Sequence, residues 1–143
     1  EPLLVALQCL YGIDTGIDLT KLIDLSRDVE KRSRMPVSKT KPVVGENIFG
    51  WETGIPVGYW KNAKDIDPLI MLPYMWTLVD QREPYIYTGK KSGVANMQLV
   101  AQEFGVELDK EQAKKLMQLV KAMAIAKKRD LSRPEFKALM DEI

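Results

Sequence analysis

The chain has 143 residues, 45% of them hydrophobic, and its 21 basic and 20 acidic residues leave a net charge of +1. This length suffices for one modest core or two small helical lobes, and the charge balance does not favour nucleic acid or an anionic membrane as a partner. The lack of histidine and the single cysteine, Cys9, exclude an internal disulfide, a zinc site of the usual type and a Ser–His or Cys–His nucleophile pair.

No apolar run approaches the roughly 18 residues that a membrane span requires, and there is no signal-peptide pattern. Together with the lack of cysteine pairs, this leads us to expect a cytoplasmic protein. Because the chain begins at Glu1 in a helix-like pattern, we also expect it to be a fragment of a longer protein.

The first third of the chain predicts two helices. Residues 2–11 are apolar on nearly every side, with a proline at the start and a glycine after the end, which is typical of a buried helix. A loop with two glycines follows, and Asp18 can cap a second helix over residues 19–33. Residues 37–44 have no hydrophobic period and indicate an extended linker.

Residues 45–56 contain three glycines, with Phe49 and Trp51 between them. No period of 2 or 3.6 runs through this stretch, so it is neither an ordinary strand nor an ordinary helix. Glycines at this density indicate positive φ angles or the close approach of another backbone. Glu46 and Glu52 lie among them, each either a candidate catalytic acid or, more commonly for a glutamate near turns, a partner in a cap or salt bridge.

The middle of the chain predicts little regular structure. Residues 57–62 are ambiguous, and residues 65–73 form a proline-bounded apolar piece of one or two helical turns. Residues 85–88 are the best strand candidate, and since one short strand makes no sheet, we expect at most a small hairpin. Asp65 and Asp67 are spaced as in calcium loops, but the remaining ligands and the glycine of such a loop are missing.

The last third of the chain predicts three helices. The first covers residues 92–104, the second begins at Asp109 and the third at Ser132, the latter two with capping boxes. Apolar residues recur at steps of three and four in each helix, so a small bundle is expected and the fold class is mainly α, with small helical subdomains. Four methionines lie among these regularly spaced apolar residues: Met97, Met117, Met123 and Met140. We interpret them as core residues rather than as a binding surface.

Residues 89–92, Gly-Lys-Lys-Ser, precede a predicted helix. A P-loop would need a second glycine five residues earlier, and that position holds Pro84, so a nucleotide site of this type is not expected. A helix N-terminus with two lysines can still attract a phosphate or carboxylate, which makes Lys90, Lys91 and Ser92 candidate anion-binding residues. The structural alternative is that Ser92 caps the helix and the glycine after it permits tight packing.

Three ordered motifs carry a resemblance to a known family. They are GIDTGID at residues 12–18, GKKSG at residues 89–93, and a segment in which Gly45, Asn47, Phe49 and Gly54 match the pattern Gly-x-Asn-x-Phe-x-His-x-x-Gly-x-His. Together they resemble the region that follows the TIM barrel in isopropylmalate synthases, homocitrate synthases and HMG-CoA lyase-like enzymes. Trp51 and Pro56 stand where that family has histidines.

The resemblance implies a domain organisation. Residues 1–17 would be the end of a preceding barrel, residues 18–84 a first helical subdomain with an irregular lid segment, and residues 85–143 a second helical subdomain. No complete TIM barrel fits in this chain. The resemblance further implies a homodimer in which this region packs beside its own barrel and covers the active site of the second subunit. The candidate lid residues are Asn47, Phe49, Trp51 and Glu52.

The reaction implied for the complete enzyme is the condensation of an acyl-CoA with a 2-oxo acid, or the cleavage of a carbon–carbon bond, with a divalent metal in the barrel. We expect no catalytic residue in this chain, because neither Trp51 nor Pro56 can transfer a proton at neutral pH. We also expect no cofactor or metal ligand, because the chain has no histidine and no cluster of metal-ligating residues. The alternative function is a non-catalytic helical interaction or regulatory module. The alternative position of Trp51 is in the core of the chain itself.

Overall fold

The computed structural model describes residues 1–143, which fold mainly as α-helix. The six helices are α1 (Pro2–Tyr11), α2 (Leu22–Ser33), α3 (Gly54–Ala63), α4 (Val94–Gln102), α5 (Lys110–Lys127) and α6 (Arg133–Met140). Short 3-10 turns cover Leu19–Lys21, Pro68–Ile70 and Trp76–Val79. The predicted mainly-α fold class is therefore confirmed. None of the helices combines the length and the apolar character needed to cross a bilayer.

The chain forms two compact units, and each contains two separate stretches of sequence. Unit 1 consists of Glu1–Gly50 and Leu72–Tyr85, and unit 2 consists of Trp51–Met71 and Ile86–Ile143. The sequence-based division at residues 17 and 84 stays a prediction about the complete protein.

Two short strands, β1 (Gly50–Trp51) and β2 (Tyr85–Ile86), form a parallel pair. The Tyr85 N–H donates to the Phe49 carbonyl at 2.9 Å, and the Tyr87 N–H donates to the Trp51 carbonyl at 2.8 Å. A hairpin was the arrangement expected for the strand near residue 85, but its partner is a strand far away in the sequence. Parallel strands cannot be joined by a tight turn, and here helix α3 lies between them in the chain.

The apolar core of unit 1 combines residues of α1 and α2 with residues of turns and loops. Asp18 caps the turn that leads into α2, since its carboxylate accepts the Thr20 N–H at 3.0 Å, as the sequence predicts. Helix α1 buries Val5 but leaves Leu3 and Leu10 largely exposed, so most of its apolar surface faces solvent in this chain. The buried residues of this core are Val5, Leu19, Leu22, Ile23, Val43, Val44 and Val79.

Unit 2 contains four helices packed in sequence order: α3 against α4, α4 against α5, and α5 against α6. The sequence predicts a bundle of the last three helices only. It does not predict α3, which begins inside the glycine-rich stretch at Gly54. Its buried residues Val57, Trp60 and Ala63 are spaced only at steps of three, which is too short a series to distinguish a helix by pattern. The buried side of α5 repeats over four turns, with Ala113, Leu116, Val120 and Ala124.

The start of α4 differs from the prediction. Ser92 does not cap the helix; the residue at that position is Gly93, and its N–H donates to the side-chain oxygen of Asn96 at 2.9 Å. The Ser92 hydroxyl is used one turn earlier, where it accepts the Gly89 N–H at 2.9 Å. A serine followed by a glycine can close the preceding turn instead of the helix, and sequence spacing does not separate the two cases.

The junction between α5 and α6 is held by one carboxylate, that of Glu135. It accepts two hydrogen bonds from the Arg129 guanidinium, at 2.7 and 2.9 Å, and further bonds from the Lys127 ammonium and the Ser132 N–H. These donors, Arg129 first, hold the pKa of Glu135 far below its ordinary value. The predicted capping box of Ser132 and Glu135 is present within this cluster.

This cluster predicts an acid-dependent contribution to stability. Because the pKa of Glu135 is lower in the folded than in the unfolded chain, its contribution is complete above the ordinary glutamate pKa of about 4.3 and declines as the pH falls below that value. Glu135→Gln keeps the capping geometry and removes the charge. We therefore expect its Tm to lie below that of the unsubstituted chain at pH 7 and the difference to shrink toward pH 2. Glu142→Gln is the control, and a Tm difference for Glu135→Gln that is independent of pH would contradict the assignment.

Candidate functional site

Three segments of unit 2 converge around the GKKSG turn, which is residues 89–93. They are the segment that begins at Trp51, the turn itself and the loop between α5 and α6. The Leu131 N–H donates to the Thr88 carbonyl at 2.8 Å, which ties the loop to the residue before the turn. Thr88 and Ser92 are fully buried, so the turn is a fixed part of the unit.

Two glycines allow the first two segments to meet. A Cβ on Gly54 would lie 3.0 Å from the Cα of Gly93, and a Cβ on Gly93 would lie 3.0 Å from the Cα of Gly54. Cβ contacts this short are tighter than nine in ten of those in real proteins, so a side chain at either position would push the backbones a few tenths of an ångström apart. The packing of one backbone against the other therefore favours glycine at both positions, at the points where α3 and α4 begin.

The side chain of Asn96 connects the same two segments. Its amide nitrogen donates to the Glu52 carbonyl at 2.8 Å and to the Tyr87 carbonyl at 3.2 Å, while its oxygen accepts the Gly93 N–H. Asn96 is fully buried, where an unpaired amide would be costly. We name this arrangement of Glu52, Tyr87, Gly93 and Asn96 the Asn96 clamp.

The candidate anion-binding residues lie in this turn, but their groups differ in availability. The Ser92 hydroxyl is buried and bonded within the turn. The Lys91 N–H, the backbone donor that would face an anion, donates to the carboxylate of Glu52 at 2.8 Å. The Lys91 N–H is therefore already bound by the Glu52 carboxylate. The side chains of Lys90 and Lys91 are exposed and extend to solvent.

A second carboxylate, from Asp130, approaches Glu52 at Gly89. A Cβ on Gly89 would lie 2.1 Å from the Asp130 Oδ1 and 2.6 Å from the Glu52 Oε1, so the two oxygens are less than about 5 Å apart and a side chain at Gly89 would have to displace both carboxylates. Desolvation of its carboxyl and, second, the negative charge of Glu52 raise the pKa of Asp130. Sequence reasoning did not identify Asp130, which is distant from Glu52 in the chain.

These carboxylates belong to a cleft of about 450 Å³ in unit 2. Apolar atoms of Ala124 and Ile125 form part of its wall, and Lys90 and Lys128 bring positive charge to the same cleft. The guanidinium of Arg129 also lines it but is already bound by Glu135. The cleft combines both signs of charge, which suits a polar occupant better than an apolar one. The residues that line it are Glu52, Lys90, Ala124, Ile125, Lys128, Arg129 and Asp130.

Trp51 packs against Trp60 of helix α3, with the ring centres 5.2 Å apart and the planes tilted by 45°. Trp60 is buried, whereas Trp51 is half-buried and keeps part of its ring accessible. The indole therefore has a fixed inner neighbour and a partly exposed outer face. Both the lid position and the core position weighed for Trp51 agree with this partial burial.

The other two lid candidates, Asn47 and Phe49, belong to unit 1. The Asn47 N–H donates to the Lys39 carbonyl at 2.8 Å, and Asn47 is half-buried. The Phe49 side chain is buried and meets the ring of Tyr74 edge-on, at a centroid distance of 5.5 Å. Phe49 thus acts as a core residue within unit 1.

The remaining acidic candidates have structural partners. The carboxylate of Glu46 forms a salt bridge with Lys39 at 2.7 Å, which lowers the pKa of Glu46. Asp67 accepts the Leu69 N–H at 2.9 Å and caps a 3-10 turn, and Asp65 pairs with Lys64. Across residues 1–143, no three His, Cys, Asp or Glu side chains are placed to hold a metal ion.

Three curated proteins illustrate what the chain is similar to. Over 121 residues it is 33% identical to homocitrate synthase AksA of Methanothermobacter thermautotrophicus, covering 85% of this chain and 30% of that protein. It is 33% identical over 148 residues to 2-isopropylmalate synthase 2 of Caldanaerobacter subterraneus, and 36% identical over 122 residues to (R)-citramalate synthase CimA of Methanocaldococcus jannaschii. These two matches cover 100% and 85% of this chain.

All these matches lie in the C-terminal part of the relatives, and the chain spans about a quarter to a third of their length. No protein-family model matches the chain.

The Asn96 clamp predicts a large loss of stability for Asn96→Ala. The substitution leaves the Glu52 carbonyl and the Gly93 N–H without their partner in a buried site, and we expect a loss of about 2–4 kcal/mol in the free energy of unfolding by urea. Gln102→Ala, an exposed change on the same helix, should stay within about 0.5 kcal/mol. Equal stability of the two variants would show that the clamp contributes nothing.

Proposed function

Because the chain belongs to the family of homocitrate, citramalate and isopropylmalate synthases, as a segment that matches their C-terminal part, we propose that it is the dimerisation and active-site-covering region of such an enzyme. The complete enzyme would condense an acyl-CoA with a 2-oxo acid, or cleave the corresponding carbon–carbon bond, in the cytoplasm. The observation that carries this proposal is that relatives of all three kinds match 85% or more of the chain.

The residues of this chain supply shape and hydrogen bonds to that reaction. Trp51 stands at a histidine position of the family pattern, and its half-buried ring can exclude water and offer one N–H donor, but it cannot take up a proton. The carboxylate of Glu52, next to it, is oriented by the Lys91 N–H. Proton transfer and the divalent metal of the reaction would be supplied by the barrel of the complete enzyme.

The exposed face of α1 supports the proposed packing of this region on other parts of the enzyme. Leu3, Leu10 and Tyr11 are 70%, 76% and 72% exposed. Three large apolar side chains on one short helix are more than a monomer of this size needs to expose, and they suit burial against a barrel or a second subunit. We therefore propose a homodimer in which this region contacts both its own barrel and its partner.

The second candidate function is a non-catalytic interaction or regulatory module, and one observation favours it. Both histidine positions of the family pattern are substituted, by Trp51 and Pro56. An enzyme that lacks both groups catalyses the reaction more slowly, catalyses an altered reaction, or no longer catalyses one. The two functions differ in whether the segment can support turnover when it is joined to a competent barrel.

A chimera tests this directly. The matching C-terminal part of homocitrate synthase AksA from Methanothermobacter thermautotrophicus is replaced by residues 1–143. We expect a dimer with metal-dependent release of free CoA thiol from an acyl-CoA and a 2-oxo acid, slower than AksA because the two histidines are missing. The 143-residue chain alone should release none.

Trp51→His in the chimera is the informative variant, because it restores one histidine of the pattern. It should raise the rate or change the preferred 2-oxo acid, with little change in Tm, since Trp51 is only half-buried. A chimera that unfolds cooperatively and forms dimers, yet gives no turnover with either residue at position 51, would favour the regulatory module.

A further inference from the structure

Val43 has a backbone conformation that β-branched residues avoid. Its φ angle is +70°, and the Val44 N–H donates back to the Pro42 carbonyl at 2.9 Å, which closes a three-residue turn around Val43. A γ-turn with positive φ is rare and strained, and in a valine it is a genuine outlier. We name this feature the Val43 turn.

The surrounding structure explains how the strain persists. The Val43 side chain is buried in the core of unit 1, beside Val5, Leu22 and Val79. Two residues later, Gly45 is enclosed by backbone, because a Cβ there would lie 2.6 Å from atoms of both Lys39 and Lys41. Burial on one side and backbone contact on the other leave the turn no relaxed alternative without opening the core.

The Val43 turn leads directly into residues 46–49, which carry Asn47 and Phe49. This segment is held by main-chain bonds: the Gly45 N–H donates to the Lys41 carbonyl and the Asn47 N–H to the Lys39 carbonyl, both at 2.8 Å. Side chains hold it from the other direction, since Gln81 donates to the Gly45 carbonyl and Arg82 to the Glu46 carbonyl. The segment is therefore held by these hydrogen bonds, and its starting direction is given by the turn that precedes it.

Resting on the proposed function, we propose that Val43 is a positioning residue: its strained turn fixes residues 46–49 in the orientation in which Asn47 serves the active site of the complete enzyme. The strain is then the energetic cost of holding residues 46–49 rigidly. A glycine at position 43 would relieve the strain and make this segment more flexible. The proposal predicts that stability and activity change in opposite directions between two variants of Val43. Val43→Gly should be more stable than Val43→Ala and yet a poorer catalyst.

The stability half of the proposal is tested on the 143-residue chain by thermal unfolding. Both substitutions remove the same buried side chain, but alanine keeps the strain and glycine releases it. We expect Val43→Gly to melt about 3 °C or more above Val43→Ala. The matched control is Val44, buried next to it without a positive φ, where Val44→Gly should melt below Val44→Ala. Glycine melting below alanine at both positions would overturn the proposal.

The positioning half is tested in the same chain by amide hydrogen exchange. The Gly45 and Asn47 amides should exchange roughly tenfold faster in Val43→Gly than in Val43→Ala, with α2 amides unchanged. Equal exchange in the two variants would mean that the turn does not hold the segment. If either variant is unfolded at 25 °C, the comparison is made in sucrose, which strengthens the folded state of all variants alike.

Catalysis is then compared in the chimera. Val43→Gly should raise KM for the 2-oxo acid or lower kcat/KM by about tenfold relative to Val43→Ala, although it is the more stable of the two. Activity that follows stability across the Val43 and Val44 variants would reduce Val43 to a structural residue. An inactive unsubstituted chimera would contradict the proposed function, while the unfolding and exchange comparisons would still decide whether the Val43 turn is strained and holds the segment.

Discussion

The contact between the backbones of Gly54 and Gly93 determines how unit 2 is built. Because neither residue carries a Cβ, the first turns of α3 and α4 come close enough for the Asn96 amide to reach the Glu52 carbonyl. That proximity also allows the Glu52 carboxylate to accept the Lys91 N–H. The clamp, the turn and the cleft beside Gly89 all follow from this single close approach.

Residues 45–56 are held mainly through their backbone. In unit 1, Gly45 is enclosed by the main chain of Lys39 and Lys41, and in unit 2, Gly54 rests on Gly93. Glycines in such places are favoured by the close approach of another backbone, and of the side chains between them Phe49 is buried whereas Trp51 is only half-buried. Trp51, at the position where the resemblance implies a histidine, is thus a residue that the packing of this chain does not fully enclose.

Sequence reasoning succeeded for local structure that has a clear capping or periodic signal, although it missed α3 and the cap of α4 at Gly93. The capping boxes at Asp109 and Ser132, the helix-forming stripe of α5 and the mainly-α fold class depend on residues within a few turns of each other. It failed where partners are distant in the chain. Three features depend on tertiary packing, which the spacing of residues in the sequence does not indicate. They are the parallel pairing of Trp51 with the strand at residue 85, the hydrogen bonds of Asn96 and the approach of Asp130 to Glu52. The density of glycines at residues 45–54 was the one signal of close backbone contact, and it did not identify the contacting residues.

A double-mutant cycle on the two glycines tests the central claim most directly. Gly54→Ala and Gly93→Ala should each cost about 1–3 kcal/mol in the free energy of unfolding, because a Cβ forces the backbones apart. The double variant should cost at least about 1 kcal/mol less than the sum, since the first substitution already provides the space that the second requires. Gly58→Ala, which meets nothing within 4 Å, is the control and should be neutral or stabilising. Losses for Gly54→Ala and Gly93→Ala that simply add, or that match the control, would contradict a structure organised around this contact.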